Sequence, residues 1–116
     1  MFNYTSLDPA QCDFIPVAAA ADLPSGGRMF VEIDSEAIVI FNIAGGYFAI
    51  GDVCSHDNGP VGDGEIEGET EISCPRHGAH FDVRTGKALS LPAVVDIPAY
   101  PVRLRGGQIE LGLPLK

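Results

Sequence analysis

Cys54-Ser55-His56 and Cys74-Pro75-Arg76-His77, separated by seventeen residues, decide how this chain of 116 residues is read. Each cluster sets one thiol and one imidazole on a short turn, as Cys-x-His in the first and Cys-x-x-His in the second. Side chains at that spacing reach one metal centre together, and two such turns laid side by side by hairpins present four ligands. Zinc accepts two Cys and two His. A [2Fe–2S] cluster with two Cys on one iron and two His on the other uses the same donors. Zinc ribbons pair Cys-x-x-Cys knuckles, and two-histidine fingers place both imidazoles in a helix. Here each turn carries one of each, which suits a cluster whose irons both need a ligand from both turns.

Around the clusters the composition is that of one all-β domain. The apolar fraction is 46%, and fourteen glycines and nine prolines punctuate the chain too often for long helices. A net charge of −9 argues against nucleic acid and anionic membranes, which need a positive patch, and favours encounter with basic proteins. Three cysteines are too few for a disulfide framework and fit a reducing compartment. No apolar run reaches the roughly 18 residues of a membrane span, and Asn42 and Gly45-Gly46 interrupt the nearest candidate, Ala37–Ile50. No secretory signal is visible at the N-terminus. The expectation is a soluble, cytoplasmic, monomeric protein.

Residues 1–13 read as a polar lead-in, and Phe14 to Gly27 as a loop with room for a helical turn at Val17–Ala21 between Pro16 and Pro24. Three adjacent antiparallel strands are expected at Met29–Ile33, Ala37–Ile43 and Tyr47–Gly51, the last two joined by a turn at Ala44-Gly45-Gly46. Tyr100–Arg105 alternates, with Tyr100, Val102 and Leu104 on one face, and Gln108–Leu113 is a final strand. Asp52 to Lys87 holds every histidine, many glycines and little apolar mass, so something other than burial should hold it. The expected organisation is a base β-domain from 1–51 and 88–116, with a cluster-binding insertion at 52–87.

His56-Asp57-Asn58-Gly59-Pro60 and Cys74-Pro75-Arg76-His77-Gly78-Ala79-His80-Phe81-Asp82, followed by Thr85-Gly86, resemble the boxes of the Rieske iron–sulfur family. The resemblance runs from about Phe14 to the C-terminus. It implies a Rieske-type [2Fe–2S] cluster held by Cys54 and Cys74 on a buried iron and by His56 and His77 on an outer, more exposed one. Neutral imidazoles in place of two thiolates make such a cluster a readier electron acceptor than a four-Cys cluster. No open coordination position is left for a substrate, so the resemblance implies an electron carrier rather than an enzyme.

Family members of the respiratory and photosynthetic complexes carry a further Cys in each box, and this chain has Gly59 and Arg76 there. Those members also place Ser and Tyr hydroxyls against the cluster sulfurs, where this chain has Ala79 and Phe81. Missing donors leave sulfur charge uncompensated and lower the potential. The chain thus resembles a low-potential soluble ferredoxin, near the roughly −150 mV end of the Rieske range. By the same resemblance it takes electrons from a flavin-dependent NAD(P)H reductase and passes them to the terminal oxygenase of a ring-hydroxylating dioxygenase or a related non-haem iron system. The competing classes are a permanently bound small Rieske subunit of a larger oxidoreductase and a zinc-stapled interaction domain.

Several residues carry a plainer reading. His80 would be a fifth donor, so it is expected at the surface or behind the ligands. Asp57, Asp63, Glu65, Glu67, Glu69 and Glu71 fall in a stretch without a basic residue, which serves either as a solvated hairpin edge or as an acidic docking face. Arg76 is a solvated side chain or a docking contact. Leu91-Pro92-Ala93 is a turn or an apolar cover for the cluster. Cys12 is read as an ordinary thiol, and Phe81 and Tyr100 as core.

Overall fold

Ile38-Val39-Ile40-Phe41 is apolar without alternation because its strand is the middle of three layers, buried on both faces. In the computed structural model, residues 12–33, 35–53, 61–68, 70–75, 78–90 and 96–114 are described. Their strands are β1 (Cys12–Ala19), β2 (Arg28–Ile33), β3 (Glu36–Ile43), β4 (Gly46–Gly51), β5 (Ile66–Glu67), β6 (Glu71–Ser73), β7 (His80–Asp82), β8 (Ala99–Tyr100), β9 (Val102–Arg105) and β10 (Gln108–Pro114). They form three antiparallel sheets, ordered β2-β3-β4-β8, β1-β10-β9 and β5-β6-β7. Among the described residues no helix is long and apolar enough to cross a membrane.

The central sheet faces two cores. Ile38, Ile40 and Ala49 pack with Tyr100, Ile109 and Leu111 toward β1-β10-β9. Val39, Phe41 and Ile50 pack the other way, with Val61, Ile72, Phe81 and Val83 from the middle of the chain. Each fully buried aliphatic or aromatic side chain contributes about 1.5–3 kcal/mol. The middle segment therefore supplies real apolar mass to a core, contrary to the sequence expectation.

The expected β2-β3-β4 meander is present. Its second turn needs left-handed backbone at Ala44 (φ 52°) and Gly45 (φ 89°), as a two-residue hairpin loop does. Buried Asn42 braces that turn: Oδ1 accepts the Gly45 N–H at 3.0 Å, and Nδ2 donates to the Leu23 carbonyl at 2.8 Å.

Two expectations give way. Residues 12–19 are not a lead-in and loop but β1, paired with β10, and the helical turn sits later, as a 3-10 turn at Ala20–Asp22. The predicted face of Tyr100, Val102 and Leu104 is also divided. Tyr100 belongs to the central sheet beside Ala49, whereas Leu104 lies on the edge strand β9 and is 51% exposed.

Candidate metal centre

Cys74 follows β6 directly and is 1% exposed, in the same apolar core as Ile72, Ala79 and Phe81. Its N–H donates to the Ala79 carbonyl at 2.7 Å, and its own carbonyl accepts the Gly78 N–H at 2.9 Å. Gly78 adopts φ 71°, which glycine tolerates and other residues rarely do. Two backbone bonds thus close the connection from β6 to β7 around the thiol. The other three predicted ligands, Cys54, His56 and His77, lie outside the described residues, as do Asp57, Gly59, Glu69, Arg76 and Leu91-Pro92-Ala93. Among the described residues no group of His, Cys, Asp or Glu is arranged to hold a metal ion.

The chain on either side of the first cluster is described, and one carboxylate joins its two ends. Asp52 Oδ1 accepts the N–H of Val61 at 3.1 Å and of Gly62 at 2.6 Å, so the described chain before and after the first cluster is joined there. Arg28 on β2 donates from Nη1 to the carbonyls of Gly62 and Gly64, both at 2.6 Å, and its guanidinium lies over the Phe41 ring at 5.2 Å. The returning limb then meets the second cluster, where the Ser73 N–H donates to the Glu65 carbonyl at 3.0 Å. An open depression of about 430 Å³ lies between the limb and the hairpin, bordered by residues 63–65 and 73–75. Sequence reasoning missed both Asp52 and Arg28. An Asp at the mouth of a turn is a signal for backbone N–H capture, while nothing local marks Arg28.

The neighbours of the second cluster are placed as the residue types suggest. Ala79 and Phe81 are fully buried beside Cys74 and bring no hydroxyl there. His80 points outward, with Nδ1 3.2 Å from Glu71 and Nε2 3.6 Å from Glu67. Glu67 and Glu71 face each other across β5 and β6, so the imidazole bridges two like charges that a sheet otherwise disfavours. Past β7 the chain doubles back, and Leu89 N–H donates to the His80 carbonyl at 2.8 Å.

Asp82 anchors that return. It accepts the Arg84 backbone N–H at 2.9 Å and the guanidinium at 3.1 and 3.0 Å. Burial alone would raise its carboxyl. The Arg84 bonds and the charges of Arg84 and Lys87 outweigh burial and hold it below the usual range. A carboxyl depressed by folding adds stability above its unfolded pKa, and that stability is lost as pH falls through the folded value. Arg84→Ala should therefore lower the thermal midpoint at pH 7, with the gap to the parent closing by about pH 2. A gap that stays constant in thermal melts across that range would contradict the assignment.

The model of the family described as Rieske [2Fe-2S] domain matches residues 13–101. Over 94 residues the chain is 42% identical to the 3-phenylpropionate/cinnamic acid dioxygenase ferredoxin subunit of Escherichia coli K12, covering 81% of this chain and 88% of that protein. Among solved structures it resembles the ferredoxin of carbazole 1,9a-dioxygenase from Nocardioides aromaticivorans IC177, with TM-score 0.78 and 31% identity over 84% of this chain and 95% of that one. It also resembles a chain from a complex of reduced oxygenase and oxidized ferredoxin in carbazole 1,9a-dioxygenase, with TM-score 0.79 and 25% identity over 89% and 95%.

Proposed function

Because the chain belongs to the Rieske [2Fe–2S] domain family, we propose that it is the ferredoxin of a multicomponent ring-hydroxylating dioxygenase system and carries single electrons to the oxygenase. It is an electron carrier and not itself an enzyme. In the proposed centre Cys54 and Cys74 give thiolates to one iron, and His56 and His77 give imidazoles to the other. The observation that carries this assignment is the burial of Cys74 in an apolar wall, inside a backbone-closed hairpin. A thiolate donor with no competing hydroxyl beside it fits a cluster ligand of this family. When bound, the cluster takes up and releases one electron at a time.

The protein's own groups do the rest. Ala79, Phe81 and Ile72 keep water from Cys74. The limb at Val61–Gly64, held by Asp52 and Arg28, lies against Ser73, the residue before Cys74. Sheet membership supports treating 52–87 as the cluster-binding insertion: β5, β6 and β7 lie within it, and the base strands come from both ends of the chain. The finer reading adds a flavin-dependent NAD(P)H reductase as electron donor, a monomeric state and a cytoplasmic setting. Support for these is the ferredoxin likeness and the −9 charge.

The absence of hydroxyls at Ala79 and Phe81 supports a low potential, since donors to sulfur favour the more negative reduced state. Phe81→Tyr is expected to raise the midpoint by about 60 mV, the equivalent of one hydrogen bond worth roughly 1.4 kcal/mol more in the reduced state. Redox titration followed by visible absorption reads this directly. A parent midpoint well above 0 mV would remove the low-potential reading. A colourless parent containing zinc after anaerobic expression would remove the cluster itself.

A further inference from the structure

The carboxylate of Asp52, just past β4, and the guanidinium of Arg28, on β2, reach the same short limb. Asp52 stands immediately after β4, where its own N–H donates to the Ala37 carbonyl at 2.9 Å, so its backbone is tied to the sheet. Its Oδ1 takes two successive amides, Val61 and Gly62. The opposite side of the same limb offers the Gly62 and Gly64 carbonyls to one nitrogen of Arg28. Val61, Gly62 and Gly64 are all buried, and a Cβ on Gly62 would crowd Phe30 at 2.6 Å and Asp52 Oδ1 at 2.8 Å. Four hydrogen bonds from two side chains thus fix three residues of backbone. That backbone abuts Ser73, the residue before Cys74.

We propose that Arg28 and Asp52 are positioning residues for the metal centre, holding to the base sheet the limb that follows Cys54 and His56 in sequence and that meets the Cys74 hairpin at Ser73. The proposal rests on the ligand assignment of those residues. Neither side chain is a ligand. Each acts by keeping the limb 61–64 in place beside Ser73 when the cluster is exposed to competition. Metal sites of this kind depend on the groups that orient their ligands, and loss of such a group costs about 10–100-fold in metal retention. Both Asp52 bonds end on a single oxygen, so an amide in its place can keep them while removing the charge.

The test uses the cluster-loaded protein, with Asp52→Ala, Asp52→Asn and Arg28→Met. Bleaching of the visible bands is followed in excess iron chelator, well below the unfolding temperature of every variant, alongside hydrogen exchange at the Val61 and Gly62 amides. Asp52→Ala is expected to bleach at least about tenfold faster and to exchange both amides faster. Asp52→Asn should stay within about threefold of the parent on both readouts, because the acceptor geometry survives. Arg28→Met, which keeps an apolar stem over Phe41, should bleach several-fold faster and stands in if Asp52→Ala does not fold. A merely structural role would lower the melting temperature and leave bleaching within twofold of the parent, which overturns the proposal. So does an Asp52→Asn variant as labile as Asp52→Ala, since charge and not geometry would then govern. Iron content that survives Cys54→Ser overturns the ligand assignment instead, and the two failures are read apart.

Discussion

A Cys74→Ser chain is expected to keep its three sheets and lose its visible chromophore. The two side chains differ by one atom, and the bonds that close the hairpin, Cys74 N–H to Ala79 and Gly78 N–H to Cys74, are made by backbone. What changes is the donor. A buried serine hydroxyl offers no sulfur and does not ionise to an alkoxide near neutral pH, so the iron that Cys74 would hold would lose one of its two cysteine ligands. The hydroxyl also sits among Ile72, Phe81 and Val83, where an unmade hydrogen bond costs about 1–3 kcal/mol. That loss is small beside the 5–15 kcal/mol of a typical domain, so the apo-fold should survive. Far-UV circular dichroism should match the parent, while iron and sulfide per chain fall by about tenfold or more. Cys54→Ser, His56→Ala and His77→Ala should behave alike. A Cys74→Ser protein that stays coloured with full iron content would show that this thiol is core packing and nothing more.

The proposed centre was readable because candidate donor types at fixed spacings are local, and Cys74 is the one of the four that the described residues include. Cys54, His56, Cys74 and His77 need no knowledge of the fold to be read as donors. The meander was legible for the same reason: β-branched runs interrupted by Asp34-Ser35 and Ala44-Gly45 leave few alternatives. The first strand was hidden by its own composition. Pro16 and a run of alanines look like loop, yet proline is tolerated on β1 because that strand is at a sheet edge and its register shifts between Pro16 and Ala18. Hydrophobic content in the middle segment was hidden differently. Val61, Ile72, Phe81 and Val83 are separated by turns and show no period, so only the three-layer arrangement reveals them as one core. Arg28 and Asp52 depend on contacts across up to 36 residues of sequence, and no window of sequence contains both ends.

Gly64→Ala is expected to be far more damaging than its one added methyl suggests. A Cβ at Gly64 would overlap the Ser73 carbonyl oxygen and lie 3.1 Å from the Val61 carbonyl oxygen, and both are backbone atoms that cannot swing aside. Relief requires the limb 61–64 and the strand leading to Cys74 to move apart. That motion breaks the Ser73 N–H to Glu65 bond and the Arg28 contact to the Gly64 carbonyl. Overpacking of this kind with loss of buried hydrogen bonds costs about 3–5 kcal/mol. Gly86→Ala should be at least as costly, since its Cβ would overlap the Ile97 carbonyl oxygen and its φ of 76° disfavours any side chain. Gly68 isolates the second effect from the first. Its φ is 61° but nothing lies within 4 Å, so Gly68→Ala should cost only about 1–2 kcal/mol, the left-handed penalty alone. Urea unfolding of the three apo-proteins should rank Gly68→Ala well above the other two in midpoint. Cluster content should follow that order, because Gly64 lies where the limb meets the strand leading to Cys74 and Gly68 does not. If Gly64→Ala unfolds like Gly68→Ala and loads iron normally, the limb and the hairpin are not in close contact and do not position the centre.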